Sequence, residues 1–260
     1  MNINNSIRIE GRRIRLPKVG MIKFHTKQII TGEISSVTFR KKNSGKYYAA
    51  ILCKDGPIKS SKKNRRSCGI DLGITNFVTI NTGEIIRFPE QNKIKHLDKK
   101  TRRLHRSLSR KQPQSNNRQK NKEKLSRGYE KIHNTLKYHF YKIAQRLTEK
   151  YQIICLETLN IKNMLKNRKL SKKIQEKSWH MFVEILEEKA EQRGRTIIHI
   201  DQWYPSSKTC HKCQHIKQDL KQGEQTWTCP QCKTILHRDI NAAKNILQEG
   251  LKTKQVNNKK

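Results

Sequence analysis

Two CxxC pairs near the C-terminal end constrain the fold of this chain more than any other feature. Cys210 and Cys213 form the first pair, Cys229 and Cys232 form the second, and fifteen residues separate the two pairs. Two such turns, each presenting two thiolates, complete a tetrahedral shell around one ion. We therefore predict a structural Zn²⁺ ribbon over residues 206–233, closed by four cysteines and without an open position for catalysis.

Other interpretations of the cysteines remain open. The pairs could be redox-active or unpaired, and His211, His215 and His237 could compete as ligands. Thiolates are the preferred ligands here. Zinc binding at such sites contributes on the order of 10 kcal/mol, enough to fold a ribbon with almost no core. The remaining cysteines lie in apolar runs and are expected to be small buried hydrophobes in a reducing compartment. They are Cys53, Cys68 and Cys155.

The chain carries a formal net charge of +37 over 260 residues. A polyanion relieves such self-repulsion, and nucleic acid is the first candidate because neutralising phosphates releases counterions. An anionic membrane is the second candidate, but no stretch approaches the ~20 apolar residues that span a bilayer, and the N-terminus lacks the apolar core of a signal peptide. We predict DNA as a partner, no membrane association, and a cytoplasmic, nucleoid-associated location.

The first part of the chain has the alternating pattern of β-strands. Residues 1–60 predict a small, basic, antiparallel β module, with a hairpin signal at 43–45. The charged segment 59–67 predicts a linker. Residues 68–88 are again strand-like, with a turn from Asn81 to Glu84, which is typical of the opening of an α/β sheet.

The rest of the chain alternates helices with strands. Residues 93–150 predict a basic helical hairpin broken at 112–117, and apolar spacing by three and four predicts a long second helix. A buried strand (151–157), a helix (171–193) and another strand (196–200) follow. We predict an α/β domain over 67–205 and 234–250, with the ribbon inserted and a disordered tail over 251–260.

Three acidic residues stand where an α/β sheet places functional side chains. Asp71 interrupts an apolar strand pattern, Glu157 closes the apolar run that precedes it, and Asp239 opens an alanine-rich helix pattern seven residues after the last thiol. Functional groups in open α/β sheets gather where strands end and helices begin. Each acid also has a structural explanation of its own, namely an ion pair, a strand end and a favourable first helical turn.

Taken together, three converging carboxylates repel one another unless a divalent cation lies between them. Mg²⁺ suits an all-oxygen shell and leaves room for water and phosphate. Two such ions would activate water and stabilise the departing oxygen in phosphodiester cleavage. We therefore expect Asp71, Glu157 and Asp239 to be catalytic residues and magnesium ligands.

A cationic stretch without acidic residues runs from 99 to 122. A solvated helix face is the alternative, but the absence of acids favours contact with the phosphate backbone of nucleic acid. Tyr47, Tyr48 and Trp227 could stack on bases or pack in a core. The predicted nucleic-acid-binding residues are Lys99, Lys100, Arg102, Arg103, Arg106, Arg110, Lys111, Arg118 and Lys120.

Several segments resemble one known family. GIDLGITNFVTI at 69–80, ICLETLNIKNM at 154–164, and the CxxC pairs followed by HRDINAAKNI at 237–246 are similar to the three RuvC-like motifs and the zinc ribbon of the TnpB/OrfB family. These are transposon-associated proteins of bacteria and archaea, related to type V CRISPR effectors. Residues 11–51 resemble the second half of the family's wedge domain.

The resemblance implies an RNase H-like (RuvC-like) domain with an inserted zinc ribbon, preceded by a β-rich partial wedge module. It also implies RNA-guided, metal-dependent DNA cleavage with a guide RNA as a further partner. Matched residue by residue, Asp71, Glu157 and Asp239 fall on the family's catalytic acids, and the four cysteines fall on its ribbon ligands.

The chain departs from the family pattern in three ways. We expect the first wedge strand and the helical recognition domain to be missing. Gln214 and Lys233 stand where a glycine often follows each CxxC, and His237 replaces an acid that is common two residues before the third catalytic aspartate.

We therefore expect a shortened, transposase-type DNA endonuclease. One alternative is a catalytically idle remnant that binds RNA or DNA, which the missing N-terminal region favours and the intact acids disfavour. The other is a zinc-ribbon regulator that only binds DNA, which has no need for acids in strands.

Overall fold

The computed structural model divides the chain into two compact units, residues 1–59 with 97–131 and residues 60–96 with 132–260. Within the described ranges, no helix is both long and apolar enough to cross a membrane. The structure describes residues 7–26, 30, 32–54, 66–88, 91–159, 177–221 and 223–257. The predicted linker at 59–67 and the start of the predicted helix at 171–193 lie largely outside these residues.

The first unit opens with two separate antiparallel sheets. Gly45, with φ 78°, supplies the left-handed position of the turn that joins the two strands of the second sheet, which confirms the hairpin predicted at 43–45. The strands of the first sheet, in the order β1-β2-β3, are β1 (Arg8–Glu10), β2 (Arg13–Leu16) and β3 (Gly20–Lys23). The hairpin consists of β4 (Glu33–Lys41) and β5 (Tyr47–Lys54).

The predicted helical hairpin is present, and its break falls where expected. Helix α1 spans Gln91–Ser109 and helix α2 spans Asn116–Lys150. Residues 97–131 pack with the N-terminal strands rather than with the predicted nuclease domain, which corrects the predicted boundary. Two contacts explain this grouping: Arg127 Nε donates to the carbonyl of Ser44 at 2.9 Å, and Tyr48 donates its hydroxyl to Glu130.

The second unit is built on a mixed five-stranded sheet in the order β10-β9-β6-β7-β8. Strands β6, β9 and β10 are parallel, whereas β7 and β8 continue antiparallel from β6. The strands are β6 (Ser67–Asp71), β7 (Val78–Ile80), β8 (Ile85–Ile86), β9 (Ile153–Glu157) and β10 (Thr196–Ile200).

Helices pack on both faces of this sheet. Successive residues of a strand face opposite sides, so each strand contributes to both packed layers. Ile154 and Leu156 face α2 and α3 (Trp179–Gln192), in a core that includes Phe140 and Phe182. Cys155, between them, faces the opposite side and packs against α4 (Arg238–Asn257). Because α4 continues to Asn257, the prediction of a disordered tail from residue 251 is wrong for the described part of that segment.

Helix α4 lies unusually close to the central strands, and two glycines make this possible. A Cβ on Gly69 of β6 would lie 2.0 Å from the carbonyl oxygen of Ala243. A Cβ on Gly250 of α4 would lie 2.5 Å from Sγ of Cys155. The absence of a side chain at Gly69 therefore lets the backbone of α4 approach β6 directly.

The ribbon lies between β10 and α4 and contains a small antiparallel hairpin. Strand β11 (Thr226–Thr228) pairs with β12 (Ile235–His237). The strand that follows the last thiol completes this hairpin and ends at His237, past residue 233, where the predicted ribbon ends.

The contact at Gly69 predicts a large destabilisation by Gly69→Ala. On an open strand, this change would stabilise the protein by restricting the unfolded chain, but here the added methyl collides with helix backbone. We expect the free energy of unfolding in urea to fall by about 3 kcal/mol. Lys252→Ala, on an exposed part of α4, should change it by less than about 0.5 kcal/mol. A Gly69→Ala protein as stable as the parent would contradict the packing.

Candidate active site and metal-binding cluster

Two of the predicted acids lie at the ends of neighbouring parallel strands. The paired residues of β6 and β9 run up to the positions just before Asp71 and Glu157. Adjacent strands lie about 4.8 Å apart. Strand alternation directs both acids to the face that α4 covers, the same face as Gly69 and Cys155.

Helix α4 begins near these strand ends and contributes the third acid. Asp239 is its second residue, and Oδ2 accepts a hydrogen bond of 2.9 Å from Nδ2 of Asn76 in the β6–β7 turn. The charges of Glu157 and Asp239 both raise the pKa of Asp71, so Asp71 interacts electrostatically with both of the other acids. Asn76 was not predicted; its position in the short turn after Asp71 was the available signal.

Burial and neighbouring charge disfavour the ionised form of Asp71. Desolvation is the largest cause, followed by Glu157 and Asp239, and together they hold the pKa of Asp71 well above its ordinary 3.8, although Arg238 acts in the opposite direction. Burial also raises the pKa of Glu157, against the effect of a hydrogen bond from Ser206. Among the described residues, none of the three acids forms an ion pair, so the structural explanation offered for Asp71 is not supported.

The loop after β10 joins the acids to the ribbon. Ser206 donates its hydroxyl to Oε1 of Glu157. From α4, Nδ2 of the buried Asn245 donates to the carbonyls of Ser206 and Thr209 at 2.8 and 2.6 Å, and Nδ2 of Asn241 donates to Thr209 at 2.7 Å. The helix that carries the third acid therefore also fixes the segment that leads into the first CxxC pair. Sequence analysis missed these polar residues.

The four cysteines of the CxxC pairs form a compact cluster. Their Sγ atoms all lie within 4.8 Å of one another, with 3.6 Å between Cys210 and Cys232 and 3.5 Å between Cys213 and Cys229. A tetrahedral zinc site with Zn–S bonds of about 2.3 Å needs sulfurs about 3.8 Å apart, so the cluster fits such an ion. Hydrogen bonding by Thr234 lowers the pKa of Cys232 to about 6. Among the described residues, no other group of three or more His, Cys, Asp or Glu residues has its ligand atoms all within 4.8 Å of one another. The three carboxylates are therefore more widely spaced than the four thiols.

The turns of the ribbon keep their form without glycine. Gln214 and Lys233 adopt left-handed backbone angles, with φ of 62° and 59°. Their N–H groups donate to the carbonyls of Cys210 and Cys229 at 2.8 and 2.9 Å. These departures from the family pattern therefore leave both cysteine turns closed, at the cost of a conformation that glycine adopts more readily.

The other candidate side chains of the ribbon have different roles. Trp227 is buried against Cys210 and Cys229, so it packs in the ribbon core rather than being available for stacking on bases. Nδ1 of His211 lies 3.0 Å from Oδ1 of Asn241. None of the histidines weighed as ligands belongs to the cysteine cluster.

Most of the predicted nucleic-acid-binding residues are exposed, but Lys111 and Arg118 are half-buried. Arg118 donates to the carbonyls of Leu108 and Lys111 at 3.0 and 2.9 Å, which closes the end of α1. Its guanidinium therefore has a structural role, and nucleic-acid contact by Arg118 stays a prediction. A groove of ≈ 390 Å³ on α1 is lined by Arg103, Arg106, Ser107, Arg110 and Lys111. Nucleic-acid contact by the exposed residues stays a prediction.

Two family models match the chain. The model described as "Probable transposase" matches residues 50–168, and the model described as "Cas12f1-like, TNB domain" matches residues 179–246. These segments contain the three acids and the four cysteines, and they place the chain in a transposase-type class. Within that class, the chain belongs to the TnpB/OrfB family, which confirms the resemblance found in the sequence.

Curated relatives are similar over most of this chain. A Streptomyces pristinaespiralis protein named "Putative RNA-guided DNA endonuclease" is 36% identical, covering 84% of this chain and 54% of the relative. InsQ of Escherichia coli K12, which carries the same description, is 27% identical over 93% of this chain and 63% of its own length. TnpB-like protein L79 of Acanthamoeba polyphaga mimivirus is 29% identical, covering 88% and 46%. The chain thus spans about half the length of these relatives.

Solved structures share the mixed α/β fold. A Cas12f1–sgRNA–target DNA complex matches with a TM-score of 0.50 and 19% identity over 81% of this chain and 55% of the other. A CRISPR–Cas12f ternary complex matches with a TM-score of 0.51 and 21% identity over 81% and 44%. At these identities, the likeness concerns the fold.

The sulfur geometry predicts that Cys229→Ser abolishes metal binding, because a hydroxyl replaces one of four thiolates. We expect the parent to purify with close to one bound metal ion per chain, and the variant with almost none, as measured by elemental analysis. Cys53→Ser is the matched control, since Cys53 lies outside the cluster and its loss should leave the metal content unchanged. Equal metal content in the parent and Cys229→Ser would contradict the assignment.

The pKa of Asp71 predicts that this acid destabilises the protein when no divalent cation is added. Because its folded pKa is raised, the folded state binds the proton more tightly, and unfolding becomes easier as pH rises above 3.8. Asp71→Asn removes this penalty, which is about 1.4 kcal/mol for every tenfold change in proton affinity. In urea unfolding at pH 5 and 8, we expect the variant to exceed the parent most at pH 8.

The exposed Asp219 provides the control for that measurement. Asp219→Asn should follow the parent at both pH values, because the Asp219 side chain is exposed and is not one of the three acids at the strand ends. The test compares the difference in free energy of unfolding between the parent and Asp71→Asn at the two pH values. An equal difference at pH 5 and pH 8 would show that Asp71 is not held in a desolvated, repulsive site.

Proposed function

We propose that this chain is a metal-dependent DNA endonuclease with a RuvC-like domain. The observation that carries the proposal is the convergence of Asp71, Glu157 and Asp239 at one end of the sheet, where the charges of Glu157 and Asp239 both act on Asp71 and no described cation forms an ion pair with the three acids. The mixed sheet with α4 packed across its central strands supports an RNase H-like fold. The placement of each acid at a strand end or helix start is typical of α/β active sites.

The three carboxylates would hold Mg²⁺. When bound, the metal supplies activation of water and stabilisation of the leaving oxygen. Burial and the charges of both other acids act on Asp71. Ser206 orients Glu157, and Asn76 orients Asp239, so each outer acid has a neutral hydrogen-bond donor that fixes its position without supplying a competing positive charge.

We propose that the ion of the cysteine cluster is Zn²⁺ and that its role is structural. Four thiolates leave no open coordination position. The ribbon has a small core, so metal binding would supply much of its folding free energy. Through Asn241 and Asn245, the folded ribbon would in turn fix the loop that holds Ser206 against Glu157.

We propose that the substrate is DNA and that a guide RNA is a second partner, which places the protein at the nucleoid. The net charge of +37 favours a nucleic-acid partner. Two relatives are named as RNA-guided DNA endonucleases, and a structural neighbour contains sgRNA and target DNA. The exposed basic residues of α1 supply phosphate contacts, with affinity that depends little on sequence.

Cleavage of labelled single-stranded DNA in Mg²⁺ tests the proposal. We expect Asp71→Asn, Glu157→Gln and Asp239→Asn each to lower the cleavage rate more than about a hundredfold, because even the loss of groups that support metal ligands costs 10- to 100-fold. Asp219→Asn should cleave at the parental rate. A comparison of protein with and without its co-purified RNA shows whether cleavage depends on a guide.

The outcomes separate the proposal from its alternatives. Cleavage that survives all three substitutions would assign the activity to a contaminant or to another site. Tight nucleic-acid binding without cleavage by the parent protein would favour the idle remnant. Equal folding and DNA affinity with and without Mg²⁺, together with no cleavage, would favour the zinc-ribbon regulator.

A further inference from the structure

Trp203 is exposed to an extent that its packing does not explain. The chain has three tryptophans, and the other two, Trp179 and Trp227, are 1% and 2% exposed, whereas Trp203 is 77% exposed. It lies in the loop after β10, at the carboxyl end of a parallel strand. A large indole surface left in water at this edge of the sheet is a candidate contact for a ligand.

The loop that displays Trp203 is held by several hydrogen bonds. Oδ1 of Asp201 accepts from the N–H of Trp203 at 2.6 Å, and the carbonyl of Asp201 accepts from Tyr204 at 3.2 Å. The N–H of Ser206 donates to the carbonyl of Tyr204 at 2.8 Å. The backbone that presents the indole is therefore fixed before any ligand binds, which limits the entropy lost on binding.

The same loop reaches the acidic site. Ser206, which donates its hydroxyl to Glu157, is three residues after Trp203. Three residues span at most about 11 Å even when fully extended. Trp203 therefore stands on a short segment whose other end contacts Glu157, at the edge of the sheet where the three acids lie.

We propose that Trp203 stacks on a base of single-stranded DNA and so positions the strand at the acidic site. The inference deepens the proposed function and rests on it for the identity of the strand. Stacking suits a nuclease that must accept many sequences, because every base offers a π-face. Basic side chains attract the phosphates of a strand, and an aromatic side chain adds a flat surface on which a base can stack. Trp203 is thus a positioning residue.

Tryptophan fluorescence tests the contact without any cleavage. In buffer without added divalent metal, titration with a (dT)₁₅ oligonucleotide should quench the emission of the parent protein, because Trp203 is the exposed tryptophan. An abasic oligonucleotide of the same length and charge should bind through phosphates but leave the emission almost unchanged. Equal quenching by both oligonucleotides would overturn the proposal.

Three variants show whether the contact contributes to binding. By fluorescence anisotropy of labelled (dT)₁₅, we expect Trp203→Ala to bind about five- to a hundredfold more weakly, and Trp203→Phe to recover most of the affinity. Tyr138→Ala removes an exposed aromatic residue from α2 and should bind like the parent. Parental affinity in Trp203→Ala, an equal loss in Tyr138→Ala, or quenching by single-stranded RNA but not DNA would each overturn the proposal.

The measurement separates this inference from the proposed nuclease activity. Base-dependent quenching in a protein that cleaves no DNA would leave Trp203 as a DNA-binding residue and remove only the catalytic proposal. Cleavage lost in Asp71→Asn, with no base-dependent quenching in the parent, would support the nuclease and remove the role of Trp203. Thermal melting of Trp203→Ala should match the parent, since the side chain is exposed.

Discussion

The direct contact of α4 with the central strands is the constraint on which the second unit depends. At Gly69, the backbone of the helix occupies the space in which any other residue would have a Cβ. At Gly250, the relation is reversed, and a strand side chain fills the space beside the helix. With the helix held against the sheet at these two points, its first turn lies near the ends of β6 and β9, and the charge of Asp239 acts on Asp71. A longer separation would weaken the coupling among the acids.

This one helix organises two sites of different chemistry. Its first turn supplies an acid to the proposed magnesium site, and its next turns supply the amides of Asn241 and Asn245 to the segment that enters the ribbon. Metal binding by the cysteines would therefore stabilise more than a local hairpin. It would restrict the loop that contacts Glu157, so the proposed structural metal and the proposed catalytic metal are joined through hydrogen bonds rather than through shared ligands.

Sequence analysis was most successful where a residue type has few physical explanations. The CxxC spacing led to a cysteine cluster of the right dimensions, and the apolar runs around Asp71 and before Glu157 led to two strands that the structure contains. Polar residues such as Ser206 and Asn245 were missed, because their significance depends on partners more than thirty residues away. The grouping of 97–131 with the N-terminal strands was missed for the same reason, since helix periodicity does not reveal which surface the helix covers.

The close packing of α4 against the sheet also controls the reactivity of a buried thiol. Burial raises the pKa of the Cys155 thiol to about 11, so this sulfur is protonated and unreactive at neutral pH. Gly250 lies directly against it, which leaves no room for an alkylating reagent. Modification of Cys155 would require α4 to move away from the sheet, so the rate of that modification would report how often the contact between Gly250 and Cys155 opens.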